Sequence, residues 1–147
     1  MTLKRLLADG RLRPHLTSAK EIADLLRVID RDMEDAAFEK LSADRRFATA
    51  YNAALQLATV ILRAEGYRTS GAAHHWATFQ ALPGILGSDH TDRADYFDSC
   101  RTKRNIADYD AAGMISEAEV RELVEEAKAF RGDVLEWLRQ KHPGLVG

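Results

Sequence analysis

The run Cys100-Arg101-Thr102-Lys103-Arg104-Asn105-Ile106-Ala107-Asp108-Tyr109-Asp110 gathers three cations, an amide, carboxylates and a phenol in one short segment. Wound as a helix, residues three and four apart share a face. Phe97, Cys100 and Arg101 then align with Arg104, Asn105 and Asp108, and Asn105 stands one turn before Tyr109. Two guanidinium groups, an amide and a phenol form a polar stripe that begins where an apolar one leaves off. Arginine presents a planar fork of donors that fits two phosphate oxygens, and it stays charged at any cellular pH. The amide can hold a ribose hydroxyl or orient an arginine, and the phenol can stack on a base or donate to a phosphate. The same spacing also serves a plain surface. Arg104 and Asp108 at i,i+4 make an ordinary exposed ion pair of about 0.3–0.5 kcal/mol, and Tyr109 can pack against the last helix. Spacing alone leaves both readings open.

Other residues with chemical capacity are the five histidines and the single cysteine. His74 and His75 are adjacent, so on a helix they point about 100° apart and do not readily address one metal. Either can still reach a cleft from the start of its helix. His15, His90 and His142 fall in expected loops or near the terminus and read as solvent-exposed. No metal-ligand spacing and no glycine-rich phosphate loop occurs. One cysteine, Cys100, excludes an intrachain disulfide and a multi-cysteine zinc site, which fits a reducing compartment. Trp76, Phe79 and Trp137 sit at helical positions suited to a core.

The elements that must position these groups are helical throughout. Residues 2–9 read as a short helix with Leu3, Leu6 and Leu7 on one side, stopped by Gly10 and Pro14. Ser18 with Glu21 forms a capping-box pattern ahead of the stripe Ile22, Leu25, Leu26, Ile29 and Met33; that helix ends near Asp35 or continues, kinked, to Leu41. Ser42 caps a central helix to Glu65, stopped by Gly66, with Phe47, Tyr51, Ala54, Leu55, Ala58, Ile61 and Leu62 on its inner face. Its many alanines favour helix and permit close helix–helix approach. A segment from Ala72 to Leu82 is expected to end at Pro83-Gly84, and a loop at residues 87–90 leads to a helix from Thr91 to Ala107. After a break at residues 111–113, Ser116 with Glu119 opens the last helix, which Pro143-Gly144 ends. Short connections make neighbouring helices antiparallel. The expected fold is all-α: an up-and-down bundle of four main helices plus one or two short ones, in a single domain over residues 1–147.

Composition sets outer bounds. The chain has 147 residues with 46% hydrophobic and 30% charged, as in a globular domain with a sizeable core. Its net charge of −2 provides no global attraction to nucleic acid or anionic lipid, so any such affinity must come from a local patch. The opening MTLKRLLADGRLRPHL is too broken by charge for a secretion signal. No apolar run approaches the ~20 residues of a membrane span, and a cytoplasmic location without membrane contact is expected.

Three segments, in their order and spacing, resemble the HEPN superfamily, small helical bundles named for nucleotide binding in higher eukaryotes and prokaryotes. AYNAALQLATVILRAEGYR (Ala50 to Arg68) is similar to its alanine-rich second long helix, AAHHWATF (Ala72 to Phe79) to its histidine-containing turn and helix, and RTKRNIADYD (Arg101 to Asp110) to its late RN…Y segment. The capped helix from Ser116 fits the closing one, so the likeness spans about residues 18–140. The resemblance implies a homodimer whose polar motifs face each other across a cleft. In many members that cleft cuts RNA without metal or cofactor; some are toxins neutralised by a small nucleotidyltransferase-like antitoxin, and others act in phage defence. The motif there is arginine, a polar residue and, a few positions on, histidine. Arg104 and Asn105 supply the first half, but Tyr109, Asp110 and Ala111 occupy the histidine positions. Counting from Arg101 reaches Ile106, Ala107 and Asp108 instead. The resemblance therefore implies Arg104, Asn105 and Tyr109 as catalytic residues, and Arg101, Arg104, Asp108 and His75 as binders of phosphate or nucleic acid. Histidine suits proton transfer near neutral pH, whereas tyrosine, with a pKa of about 10, is a poor base. An RNA- or nucleotide-binding protein that acts as a toxin or defence ribonuclease stays open, as does a non-catalytic module working through a dimer or a nucleotidyltransferase-like partner.

Overall fold

The computed structural model describes residues 2–71, 73–107 and 112–146. Along them run α1 (Leu3–Ala8), β1 (Leu12–Pro14), α2 (Ala19–Ala36), α3 (Ala43–Ala64), β2 (Tyr67–Thr69), α4 (His74–Leu86), α5 (Thr91–Asn105) and α6 (Glu117–Lys141), with 3₁₀ turns at Ser88–His90 and Pro143–Leu145. The fold is an all-α bundle built around α3, which packs against α2, α4, α5 and α6. The expected inner face of α3 is buried in full, from Phe47 and Tyr51 through Ile61 and Leu62.

α2, α3 and α6 start at capping serines. The Ser42 hydroxyl accepts from the Arg45 amide at 3.2 Å. At α6 both halves of the box form: Ser116 Oγ accepts from the Glu119 amide (3.1 Å), and the Glu119 carboxylate accepts from the Ser116 amide (3.0 Å). At α2 only half forms. Ser18 Oγ accepts from the Glu21 amide at 3.1 Å, but the Glu21 carboxylate turns to Thr17, His15 and Arg63. That contact overturns the expectation of an exposed His15, whose side chain is 19% accessible. His142 is likewise engaged, by Glu65 at 3.0 Å and the Trp137 ring. Buried Arg46 ties three elements together, donating Nε to the Ala36 carbonyl (2.9 Å) and Nη1 to Glu117 (2.7 Å).

Two features depart from the sequence reading. β1 and β2 pair antiparallel, Leu12 opposite Thr69, Arg13 opposite Arg68 and Pro14 opposite Tyr67. This ribbon and α1 close a second apolar cluster of Leu6, Leu12, Leu62, Ala77 and Ala81. Strands of three residues are too short to show alternation. The second departure is α4, which runs through Pro83 to Leu86. Pro83 removes one intrahelical donor, yet continuing the helix packs Ile85 and Leu86 onto the core. Gly87, at φ +116°, stops it instead. No described helix is long and apolar enough to cross a membrane.

Candidate functional site

An aromatic ladder crosses the bundle from α3 to α6. Tyr51, Phe79, Phe97 and Phe130 succeed one another with ring centroids 6.0, 5.7 and 5.4 Å apart. These rings fix the relative placement of α3, α4 and α5, and Tyr51, at the end of the ladder, carries the only hydroxyl in it. Its oxygen lies 3.1 Å from His75 Nδ1, and the Arg104 guanidinium lies over its ring, 5.2 Å from the centroid.

Beside this junction the first turn of α4 faces the last turn of α5. Ala73, His74, His75 and Trp76 on one side, and Arg101 and Asn105 on the other, line a hollow of about 160 Å³. Ala73 takes the left-handed conformation (φ 59°), and among the described residues no side chain caps the start of α4. The first amides of a helix are unsatisfied donors at the positive end of its dipole, a setting that favours anions. They meet there the positive side chain of Arg101. Asp98, one turn back on α5, takes Arg101 Nε at 2.8 Å and Nη2 at 3.4 Å, which holds the guanidinium flat and leaves Nη1 outside the fork. This hydrogen bond raises the Arg101 pKa further above its ordinary range.

Protonation states follow from burial. The Tyr51 phenol is pushed well up by desolvation, against the lowering influence of Arg104 and Arg101, so it stays protonated. His75 is pushed down to about 4, first by burial and then by His74, Arg104 and Arg101. At neutral pH it is an uncharged imidazole, able to hydrogen-bond a ligand but not to attract one by charge. His74 is exposed and sets its ring edge-on to His75, centroids 4.5 Å apart. Cys100 is buried with its thiol raised to about 11 by desolvation, which makes it inert as a nucleophile.

Of the residues singled out by sequence, Arg101, Asn105 and His75 converge on the hollow. Arg104 sits one step inward, against the Tyr51 ring, and Lys103 reaches across to Glu119 on α6 at 3.0 Å. Asp108 and Tyr109 lie outside the described residues. Phe79 is core as expected, while Trp76 and Trp137 are half-buried. Sequence reasoning missed Tyr51, Asp98 and Trp76 as site residues. Tyr51 was readable only as part of an apolar stripe; the Asp98–Arg101 pair at i,i+3 was the one available signal. Among the described residues no three histidine, cysteine or carboxylate side chains are grouped to hold a metal ion.

Residues 36–135 match the family model described as HEPN_SAV_6107-like HEPN. No curated protein and no solved structure matches the chain.

Proposed function

The chain belongs to the HEPN superfamily, and from that premise we propose that it binds RNA, with a backbone phosphate seated in the hollow between α4 and α5. The observation that carries this reading is the meeting of Arg101 and Asn105 with the first turn of α4 across an open space. Arg101, already oriented by Asp98, donates to the phosphate. The α4 amides add partial positive charge, and the Asn105 amide takes a ribose hydroxyl. His74 and neutral His75 complete the rim as hydrogen-bonding partners.

A second reading, metal-independent cleavage, is favoured by one further observation: two imidazoles face Arg101 although the α5 segment lacks the motif histidine. In that reaction a ribose 2′-oxygen attacks the adjacent phosphorus and the 5′-oxygen leaves. One proton passes from the 2′-hydroxyl to a base and another from an acid to the leaving oxygen. Arg101 stabilises the charge that develops. A homodimer, or a complex with a nucleotidyltransferase-like antitoxin, is the assembly in which this hollow would act.

The test is binding of a labelled single-stranded RNA by wild type and by Arg101→Ala and Asn105→Ala, with RNA degradation followed in chelator. Loss of a charge-assisted contact of about 1.5–3 kcal/mol predicts roughly ten- to hundred-fold weaker binding in Arg101→Ala. Equal affinity in wild type and both variants overturns the hollow as the site. Degradation by wild type that His74→Ala and His75→Ala both abolish supports cleavage; binding without degradation leaves a non-catalytic binder.

A further inference from the structure

The two-stranded sheet carries a charge arrangement that its own stability does not explain. Arg13 stands directly opposite Arg68 across the ribbon. Leu12 is buried, so alternation turns residues 13 and 68 to the outer face, and both are exposed. Like charges directly opposed across strands destabilise the pair. Among the described residues neither arginine has a carboxylate partner. Arg11, the residue before β1, lays its guanidinium over Trp76, 5.2 Å from the ring centroid. Trp76 packs against the apolar cluster beneath the sheet and also lines the hollow. β2 ends at Thr69, and α4, whose first turn lines the hollow, begins at His74.

We propose that the outer face of this sheet is a second phosphate subsite, in which Arg13 and Arg68 grip a backbone phosphate of the same RNA strand that occupies the hollow. Two guanidinium groups that repel one another when the face is empty both gain charge-assisted hydrogen bonds from one phosphate. Between the subsites, the stack of Arg11 on Trp76 offers the flat surface on which unpaired bases rest. The inference rests on the hollow binding RNA, and it narrows the ligand. A mononucleotide fills only the hollow, whereas a strand reaches both sites, so length is the quantity the protein reads.

The experiment measures fluorescence anisotropy of single-stranded RNAs of about three and about twelve nucleotides over a salt series. It compares wild type, Arg101→Ala, Arg68→Ser, and the double variant Arg13→Ser/Arg68→Ser; single-strand contacts contribute a slope of about −0.7 per phosphate. The double variant should bind the longer RNA roughly tenfold more weakly, with a salt slope shallower by about 0.7, and bind the shorter one as wild type does. Arg68→Ser should move in the same direction. Relief of the opposed charges should leave the thermal midpoint at or above that of wild type, which separates lost binding from lost folding. Unchanged affinity and slope for the longer RNA in both sheet variants overturn the subsite; if Arg101→Ala still weakens the shorter RNA, the hollow stands without it. Wild-type binding to neither length overturns the hollow reading, and the subsite falls with it.

Discussion

Tyr51 joins the two arms of the hollow, hydrogen-bonded through its hydroxyl to His75 of α4 and stacked through its ring on Arg104 of α5. Tyr51→Phe keeps the ring and loses the hydroxyl, so urea unfolding should show a cost of about 0.5–1.5 kcal/mol. Tyr51→Leu also removes the contacts with Phe79 and Arg104 and should cost at least ~1 kcal/mol more. His75 gives a prediction with a definite sign. Its pKa falls from 6.5 to about 4 on folding, so between those values the unfolded chain holds the extra proton. Its contribution to stability is therefore lost progressively as pH drops from about 6.5 to about 4, and is constant outside that window. NMR titration should place the His75 imidazole near 4, and His75→Gln should lose less stability than wild type between neutral and mildly acidic pH. Arg101, Asn105 and His75 were legible in the sequence because their chemistry stands out wherever they lie. Tyr51 was not, because a buried aromatic in an apolar helical stripe looks the same whether or not its hydroxyl meets an imidazole.

At the scale of elements, local chemistry was readable and tertiary compensation was not. Ser42 and Ser116 cap the helices expected of them, and the full box at Ser116 makes Ser116→Ala a loss of about 1 kcal/mol in chemical denaturation. Pro83-Gly84 reads locally as a stop, yet α4 passes through it because Ile85 and Leu86 have apolar surface to cover. Gly84 shows a further reason for its place. A methyl group there would lie 2.9 Å from Leu3 Cγ, so glycine lets α1 close onto α4. Gly84→Ala sets a helix-propensity gain of about 0.8–1.0 kcal/mol against an overpacking cost of about 1–3 kcal/mol, and the net should be destabilising. α1 is only six residues long and is the part able to yield. Its amides should exchange faster in Gly84→Ala, and Leu3→Ala should cost less in that background than in wild type. Equal costs in both backgrounds would show that the two side chains do not meet. The β1–β2 ribbon had no signal to give, since its pairing spans more than fifty residues of chain with three residues on each side.

The whole molecule separates charge in a way that a net charge of −2 conceals. Arg11, Arg13, Arg68, Arg101 and Arg104 lie at or beside the hollow and the sheet, while the other end of α5 adjoins a wide concavity of about 540 Å³ lined by Asp89, Asp92, Glu122, Glu126 and Asp133. Arg93 offsets part of that charge by binding Asp133 at 2.7 Å and lying over Phe130. Asp92 and Arg101 lie about 14 Å apart along the axis of α5, taking 1.5 Å per residue. Screening decides whether that distance matters. The Debye length is about 8 Å at physiological salt and about 30 Å at 0.01 M, so the acidic end opposes a polyanion at the hollow only when salt is low. On the proposal that the hollow binds RNA, the variant Asp92→Asn/Glu122→Gln/Glu126→Gln should therefore bind single-stranded RNA several-fold faster than wild type near 0.01 M salt and at the same rate near 0.15 M. Stopped-flow association rates at the two ionic strengths check this. A difference that persists at the higher salt would mean the acidic concavity touches the RNA itself, and no difference at either would place the approach path beyond its field.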